Sequence, residues 1–197
     1  LATMFFGLIS YFMVSPVSQT YQIDLGIPSA VAVSAVMLGS IVNAGARLVL
    51  PTLADKVGRI ICIKGVLIVA VIAMGVLAVS GSLAVTVAIV LMYGCYGGIM
   101  GSFPSLTSSI FGMKHTGENY GFVMFGIVFA TFGAPAISGL VSSNGYEMNV
   151  VFGIGAVFAV IAFVCLTLLG RNLVKEHAEK SAGAKNDTAQ VRKPQAE

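Results

Sequence analysis

The feature that most limits the fold of this chain is a series of six long apolar runs separated by short polar connectors. A helix of about 20 apolar residues crosses the hydrocarbon core of a bilayer, and each run reaches about that length. The runs are Ala2–Thr20, Ala30–Leu53, Ile60–Val79, Leu83–Ile110, Gly121–Val141 and Asn149–Gly170. Charged residues make up 10% of the sequence, against roughly a quarter in soluble domains. The pattern predicts an all-α membrane protein in which residues 1–170 form a bundle of six transmembrane helices.

The basic residues of the connectors predict the orientation in the membrane. The second and fourth connectors and the C-terminal segment contain Lys or Arg, whereas the first, third and fifth connectors contain neither. Because positively charged loops remain in the cytoplasm, we expect the even connectors and the C-terminus on the cytoplasmic side of a bacterial inner (plasma) membrane. The polar segment 171–197 is expected to extend the last helix briefly and then to form a disordered cytoplasmic tail. The start at Leu1, without Met and outside the cytoplasm, leads us to expect a part of a longer protein.

A single arginine lies deep within the second apolar run. Arg47 is flanked by uncharged residues on both sides, and the six runs contain no acidic residue that could neutralise it. A charge near the bilayer centre costs about 2.5–3.5 kcal/mol, so it is expected to face a cavity or a partner. A guanidinium group matches a carboxylate with two parallel hydrogen bonds, which favours an organic anion as its ligand. Two structural roles remain open: extension toward the headgroups, or capping of a carbonyl group left free by Pro51.

Four further side chains are candidates for the same site. Asn43 lies one helical turn before Arg47 and shares its face. Tyr96 of the fourth run could form an aromatic wall, with ordinary packing as the alternative. Tyr11 and Gln19 share a face of the first run, which a proline interrupts. They could line a cavity or form a helix–helix hydrogen bond.

Two pairs of glycines in the fourth run predict close helix packing. Gly94–Gly98 and Gly97–Gly101 are both small-xxx-small pairs, a spacing that lets the backbones of neighbouring membrane helices approach each other.

Several function classes are not expected from the sequence. The three cysteines lack the spacing of metal ligands. There is no nucleophile–base pair, no glycine-rich phosphate loop and no basic-aromatic pattern for nucleic acid. We therefore expect neither an enzyme nor a cofactor, metal or nucleic-acid site.

The connector after the second run contains a family motif. The segment Pro51–Arg59, PTLADKVGR, resembles the loop signature G-x-L-A-D-R/K-x-G-R of the major facilitator superfamily, with proline in place of the first glycine. The resemblance implies a cytoplasmic gate formed by Asp55, Lys56, Gly58 and Arg59, in which Asp55 meets the N-terminal end of the fifth run. The alternative is that these charges only fix the orientation.

A second segment makes the resemblance more specific. The sequence YGGIMGSFPSLTSSIFG, followed by NYG and GAP, resembles helices ten and eleven of the oxalate–formate antiporter family. The matching residues are Tyr96, Gly97, Gly98, Pro104, Phe111, Gly112, Asn119, Tyr120, Gly121 and Pro135. The resemblance implies helices seven to twelve of a carrier, which is built from two six-helix halves around a site at the membrane midplane. The expected partners are membrane lipid, a small carboxylate and the missing N-terminal half.

The resemblance implies that Arg47 binds the carboxylate of a transported anion. Oxalate transporters of the family pair this arginine with a lysine on helix eleven, whereas the corresponding position here is Ile127. A single cation favours monocarboxylates such as formate, lactate or pyruvate over oxalate. Asn43 occupies the place where monocarboxylate transporters have an acid, so the obvious proton-coupling group is absent. The predicted function is secondary active transport of small organic anions by alternating access. A carrier-like sensor without transport and a six-helix channel subunit are the alternatives.

Overall fold

The computed structural model describes residues 1–79 and 83–191, with side chains described as far as residue 174. Within these ranges the chain forms helices and no strand. The helices are α1 (Ala2–Val14), a 3-10 segment (Ser15–Val17), α2 (Ser18–Asp24), α3 (Ser29–Val57), α4 (Arg59–Val79), α5 (Leu83–Phe111), α6 (Thr116–Ser143) and α7 (Met148–Val191). The predicted all-α membrane fold is confirmed.

Five of the helices are long and apolar enough to cross a membrane by themselves. These are α3, α4, α5, α6 and the part of α7 from Met148 to Val174. The first predicted span differs because it is not one continuous helix. Pro16 lies in the 3-10 segment between α1 and α2, and a proline removes one helical hydrogen bond and clashes with the preceding turn. Since α1 has 13 residues, the first crossing needs α1 and α2 together.

Most connectors between these helices turn at a glycine. Gly26, Gly58, Gly112 and Gly145 have φ angles between +78° and +107°, a region that other residues rarely adopt. These four positions end the preceding helices and allow the chain to reverse within a few residues.

The last helix is longer than expected. We expected a brief extension beyond Gly170, but α7 continues to Val191. The segment is rich in Ala, Lys and Glu and has no proline before residue 194, and these residues favour helix. Residues 192–197 lie outside the described part of the chain, so the division at residue 170 and the disordered tail stay predictions.

The helices pack around α1 and α5. α1 contacts α5, α6 and α7, while α5 also contacts α3 and α4, and α4 contacts α7. α3 and α6 therefore lie at two edges of the bundle. In their most apolar stretches only 11% and 17% of the residues are buried, compared with 50% in α5. The faces of α3 and α6 are the most open ones among the described membrane helices.

Candidate functional site

The site is built on the contact between α3 and α5, which is lined by glycine. A Cβ atom added at Gly101 would lie 2.8 Å from the carbonyl oxygen of Arg47, and one added at Gly97 would overlap the backbone of Asn43. Gly94 and Gly98 likewise lie against side chains of α3. The predicted close packing of both glycine pairs is confirmed, and it fixes the backbone of α3 directly beside α5.

Arg47 has two neighbours on this contact. Its Nε donates a hydrogen bond to Oδ1 of Asn43 at 3.1 Å. Its Cζ lies over the Tyr96 ring, 5.4 Å from the ring centroid, which is within the range of a cation–π interaction. The arginine side chain is exposed, and no acidic side chain of the described residues pairs with it. Three of the five predicted site residues are therefore in contact, and the guanidinium group has no counter-ion there.

Tyr11 completes an aromatic wall behind Tyr96. The two rings stack in parallel, with centroids 4.2 Å apart and an angle of 10° between planes. Tyr96 is thus placed between Arg47 and Tyr11. The Tyr11 hydroxyl accepts a hydrogen bond from Ser15 Oγ at 3.2 Å, which links the wall to the 3-10 segment. The Tyr93 ring meets the Tyr11 ring edge-on, with centroids 5.3 Å apart.

Gln19 is the predicted site residue that the structure does not bring to this cluster. It lies on α2, beyond the 3-10 segment, and its side chain is exposed. Within the described residues it makes no hydrogen bond to the other four. The helix–helix hydrogen bond considered for Gln19 is made by Gln22, which is fully buried. Gln22 Oε1 accepts from Thr86 Oγ1 of α5 at 2.9 Å. Gln22 also lies one turn after Ser18, whose carbonyl oxygen accepts from Gln22 Nε2 at 2.8 Å.

The cluster includes two further residues that the sequence analysis did not identify as site residues. Tyr120 of α6 lies near Arg47 and Tyr96, and the Phe12 ring meets the Tyr96 ring with centroids 5.9 Å apart. The NYG motif drew attention to Tyr120 only as a family resemblance. Ile127, where related carriers have a lysine, is half-buried and packs against the apolar core. α6 therefore contributes a tyrosine but no cation near Arg47.

The predicted gate residues surround the turn between α3 and α4. Gly58 has a φ of +107°, which explains why the motif has glycine there. Arg59 Nη2 donates to Asp55 Oδ1 at 3.2 Å across this turn, and both side chains are partly exposed. Such a pair contributes about 0–1 kcal/mol. Lys56 is exposed.

A cavity of about 940 Å³ lies beside this ion pair. Its walls come from the α3–α4 turn, the end of α5 and α7, and none of its lining residues belongs to α6. The contact between Asp55 and the start of α6 stays a prediction. Among the described residues, no group of three or more His, Cys, Asp or Glu side chains could hold a metal ion.

Comparison with known proteins identifies the family. The family model of the Major Facilitator Superfamily matches residues 1–130. The oxalate:formate antiporter of Oxalobacter formigenes is 26% identical over 155 residues, which are 77% of this chain and 37% of the antiporter. The MFS-type transporter YhjX of Escherichia coli strain K12 is 37% identical over 97 residues, which are 48% of this chain and 24% of that protein. The chain therefore spans well under half the length of either relative. It belongs to the major facilitator superfamily, as an integral membrane protein with five helices in its described part that are each long and apolar enough to span a membrane.

Proposed function

We propose that this chain is part of a secondary active transporter that moves small organic anions across a membrane by alternating access. The observation that carries the proposal is the state of Arg47. Its guanidinium group is exposed on a membrane-spanning helix and has no acidic partner among the described residues. A cation at such a depth is costly, and a bound anion removes that cost while it is present.

The geometry around Arg47 favours a single carboxylate. The guanidinium group is the one cation of this aromatic cluster among the described residues. Ile127 occupies the position at which oxalate transporters of the family have a lysine. One positive charge balances a monocarboxylate and leaves a dicarboxylate with an excess negative charge in a medium of low dielectric constant. We therefore favour formate, lactate or pyruvate over oxalate. The oxalate:formate antiporter, a relative, is named for two small carboxylates.

The proposed carrier contains a second six-helix half, which packs on the open faces of α3 and α6. These are the helices with the smallest buried shares among those that span the membrane. Arg47 lies on α3 and Tyr120 on α6, so a cavity between two such halves would be lined by the Arg47 cluster. Rocking of the halves would expose the cluster to each side in turn. In this proposal Asp55, Lys56, Gly58 and Arg59 form the cytoplasmic gate, and the carrier lies in a bacterial inner membrane.

Uptake by proteoliposomes tests this function. The intact protein is expected to take up labelled formate, lactate or pyruvate in a saturable manner and to show counterflow. Arg47→Gln removes a charged hydrogen-bond donor worth about 1.5–3 kcal/mol, so saturable uptake should fall at least about tenfold. Lys64→Gln is the matched control, because it removes the same charge from α4, away from the cluster.

The outcomes separate the candidate functions. Saturable uptake that survives Arg47→Gln would reject the role of Arg47. Binding of carboxylates without any uptake would support a sensor, and flux without saturation or counterflow would support a channel subunit.

A further inference from the structure

The hydrogen bond between Arg47 and Asn43 determines which edge of the guanidinium group can receive an anion. Nε of arginine is a donor only, so the amide oxygen of Asn43 must face it, as the 3.1 Å contact shows. The Asn43 amide lies directly against α5, because a Cβ on Gly97 would be 2.9 Å from its Oδ1, so the amide cannot turn toward α5. Asn43 is therefore a positioning residue that occupies the Nε side of Arg47.

The remaining edge of Arg47 is available. Neither terminal amino group of its guanidinium makes a hydrogen bond or ion pair with another described residue. One carboxylate can accept two parallel hydrogen bonds from this pair of amino groups. The Tyr96 ring lies below Cζ and limits the approach to the open side. The geometry thus fits one carboxylate bound end-on.

No group that changes its charge near neutral pH faces this arrangement in the described residues. The titratable side chains that interact with Arg47 or pack on its aromatic neighbours are tyrosines: Tyr11 of α1, Tyr93 and Tyr96 of α5, and Tyr120 of α6. The nearest acid on α3 is Asp55, eight residues further on and about 12 Å along the helix axis. The charged residues of the other packed helices lie elsewhere. Asp24 is the last residue of α2, and Arg59 and Lys64 lie in the first two turns of α4. Glu118 of α6 pairs with His115.

We propose that Asn43 makes anion binding at Arg47 independent of protons. This inference rests on the proposed function and adds that anion binding is not coupled to proton uptake. An acid in place of Asn43 would form an ion pair with Arg47 and would have to take up a proton before a carboxylate could bind. The neutral amide keeps the same hydrogen bond at every pH and imposes no such requirement. The anion is then bound with its full negative charge, which suits exchange for another anion rather than proton symport.

Binding at two pH values tests the proposal. Formate, which is ionised throughout this range, is titrated into the purified intact protein in lipid nanodiscs at about pH 6 and about pH 8 by calorimetry. For the unmodified protein we expect a Kd that changes less than about twofold and no proton uptake, measured by repeating the titration in buffers of different ionisation enthalpy. For Asn43→Asp we expect weaker binding at about pH 8 than at about pH 6, with a Kd that rises by up to about tenfold per pH unit. About one proton should be taken up on binding.

Ser34→Asp is the matched control. Ser34 lies on the same helix and is exposed, where its Oγ donates to the carbonyl oxygen of Ala30. It is thirteen residues before Arg47, about 20 Å along the helix axis, so it adds an acid far from Arg47. It should retain the pH-independent binding. Proton uptake by the unmodified protein, or pH-independent binding by Asn43→Asp, would overturn the inference and leave the carrier proposal standing. Absence of carboxylate binding by the unmodified protein would overturn both.

Discussion

Tyr96 holds Arg47 on one side and stacks on Tyr11 on the other. The ring centroid lies 5.4 Å from the guanidinium carbon and 4.2 Å from the Tyr11 centroid. The aromatic face offers negative electrostatic potential to the cation without neutralising it. Arg47 is thereby stabilised in place and keeps its full charge, as the proposed anion site requires.

This arrangement predicts different effects for two replacements of Tyr96. Tyr96→Phe keeps the ring face, so the Kd for formate should stay within about twofold of the original. Tyr96→Leu removes an interaction worth about 0.5–1 kcal/mol and should weaken binding about two- to sixfold. Isothermal titration calorimetry of both variants is the measurement. Equal affinities for the two variants would show that the ring does not position Arg47.

The residues of the cluster were predictable to different extents. Arg47 was evident from the sequence because a charge in an apolar run is costly, and Asn43 followed from helical periodicity. The stack of Tyr11 on Tyr96 could not be predicted, since it depends on how α1 meets α5. Gln19 and Gln22 lie three residues apart, and only the 3-10 segment before them decides which of them is buried.

At the scale of helices, the contact between α3 and α5 depends on glycine. A methyl group at Gly101 would lie 2.8 Å from the carbonyl oxygen of Arg47 and 3.0 Å from its Cα. Backbone atoms cannot move aside as a flexible side chain can, so the helices would have to separate.

Gly101→Ala is therefore expected to destabilise the protein by about 1–3 kcal/mol through overpacking. The midpoint of thermal unfolding in detergent should fall by several degrees, and formate binding should weaken because Arg47 is displaced. Gly75→Ala of α4 is the control, since nothing lies within 4 Å of its added Cβ. A Gly101→Ala variant as stable as this control would contradict the tight contact.

The positions of the helices were largely predictable, and their limits less so. Runs of apolar residues marked the five membrane-spanning helices of the described residues because the bilayer sets their length. The 3-10 segment and the extension of α7 to Val191 were not predicted as such. Both arise from local backbone preferences, which hydropathy does not report.

At the scale of the whole molecule, the basic connectors predict the orientation in the membrane. Lys114 lies in the connector before α6, and Ser143 lies at the opposite end of that helix. Both side chains are exposed. By the positive-inside rule we expect Lys114 in the cytoplasm and Ser143 outside.

Labelling of single cysteines checks this orientation. In a variant of the intact protein whose native cysteines are replaced by alanine, Ser143→Cys should react with an impermeant maleimide added to intact cells. Lys114→Cys should react only after the cells are opened. The reverse pattern would invert the proposed topology and would move Asp55 and Arg59 to the outer surface.

The absence of side chains at Gly97 and Gly101 also limits how this part of the protein can move. The backbones of α3 and α5 lie close together at Asn43 and Arg47, so we expect the two helices to move together. We expect α3 and α5 to behave as one rigid unit. In the proposed carrier, the Arg47 site would therefore keep its shape, and its access to either side of the membrane would change through movement of α3 and α5 together.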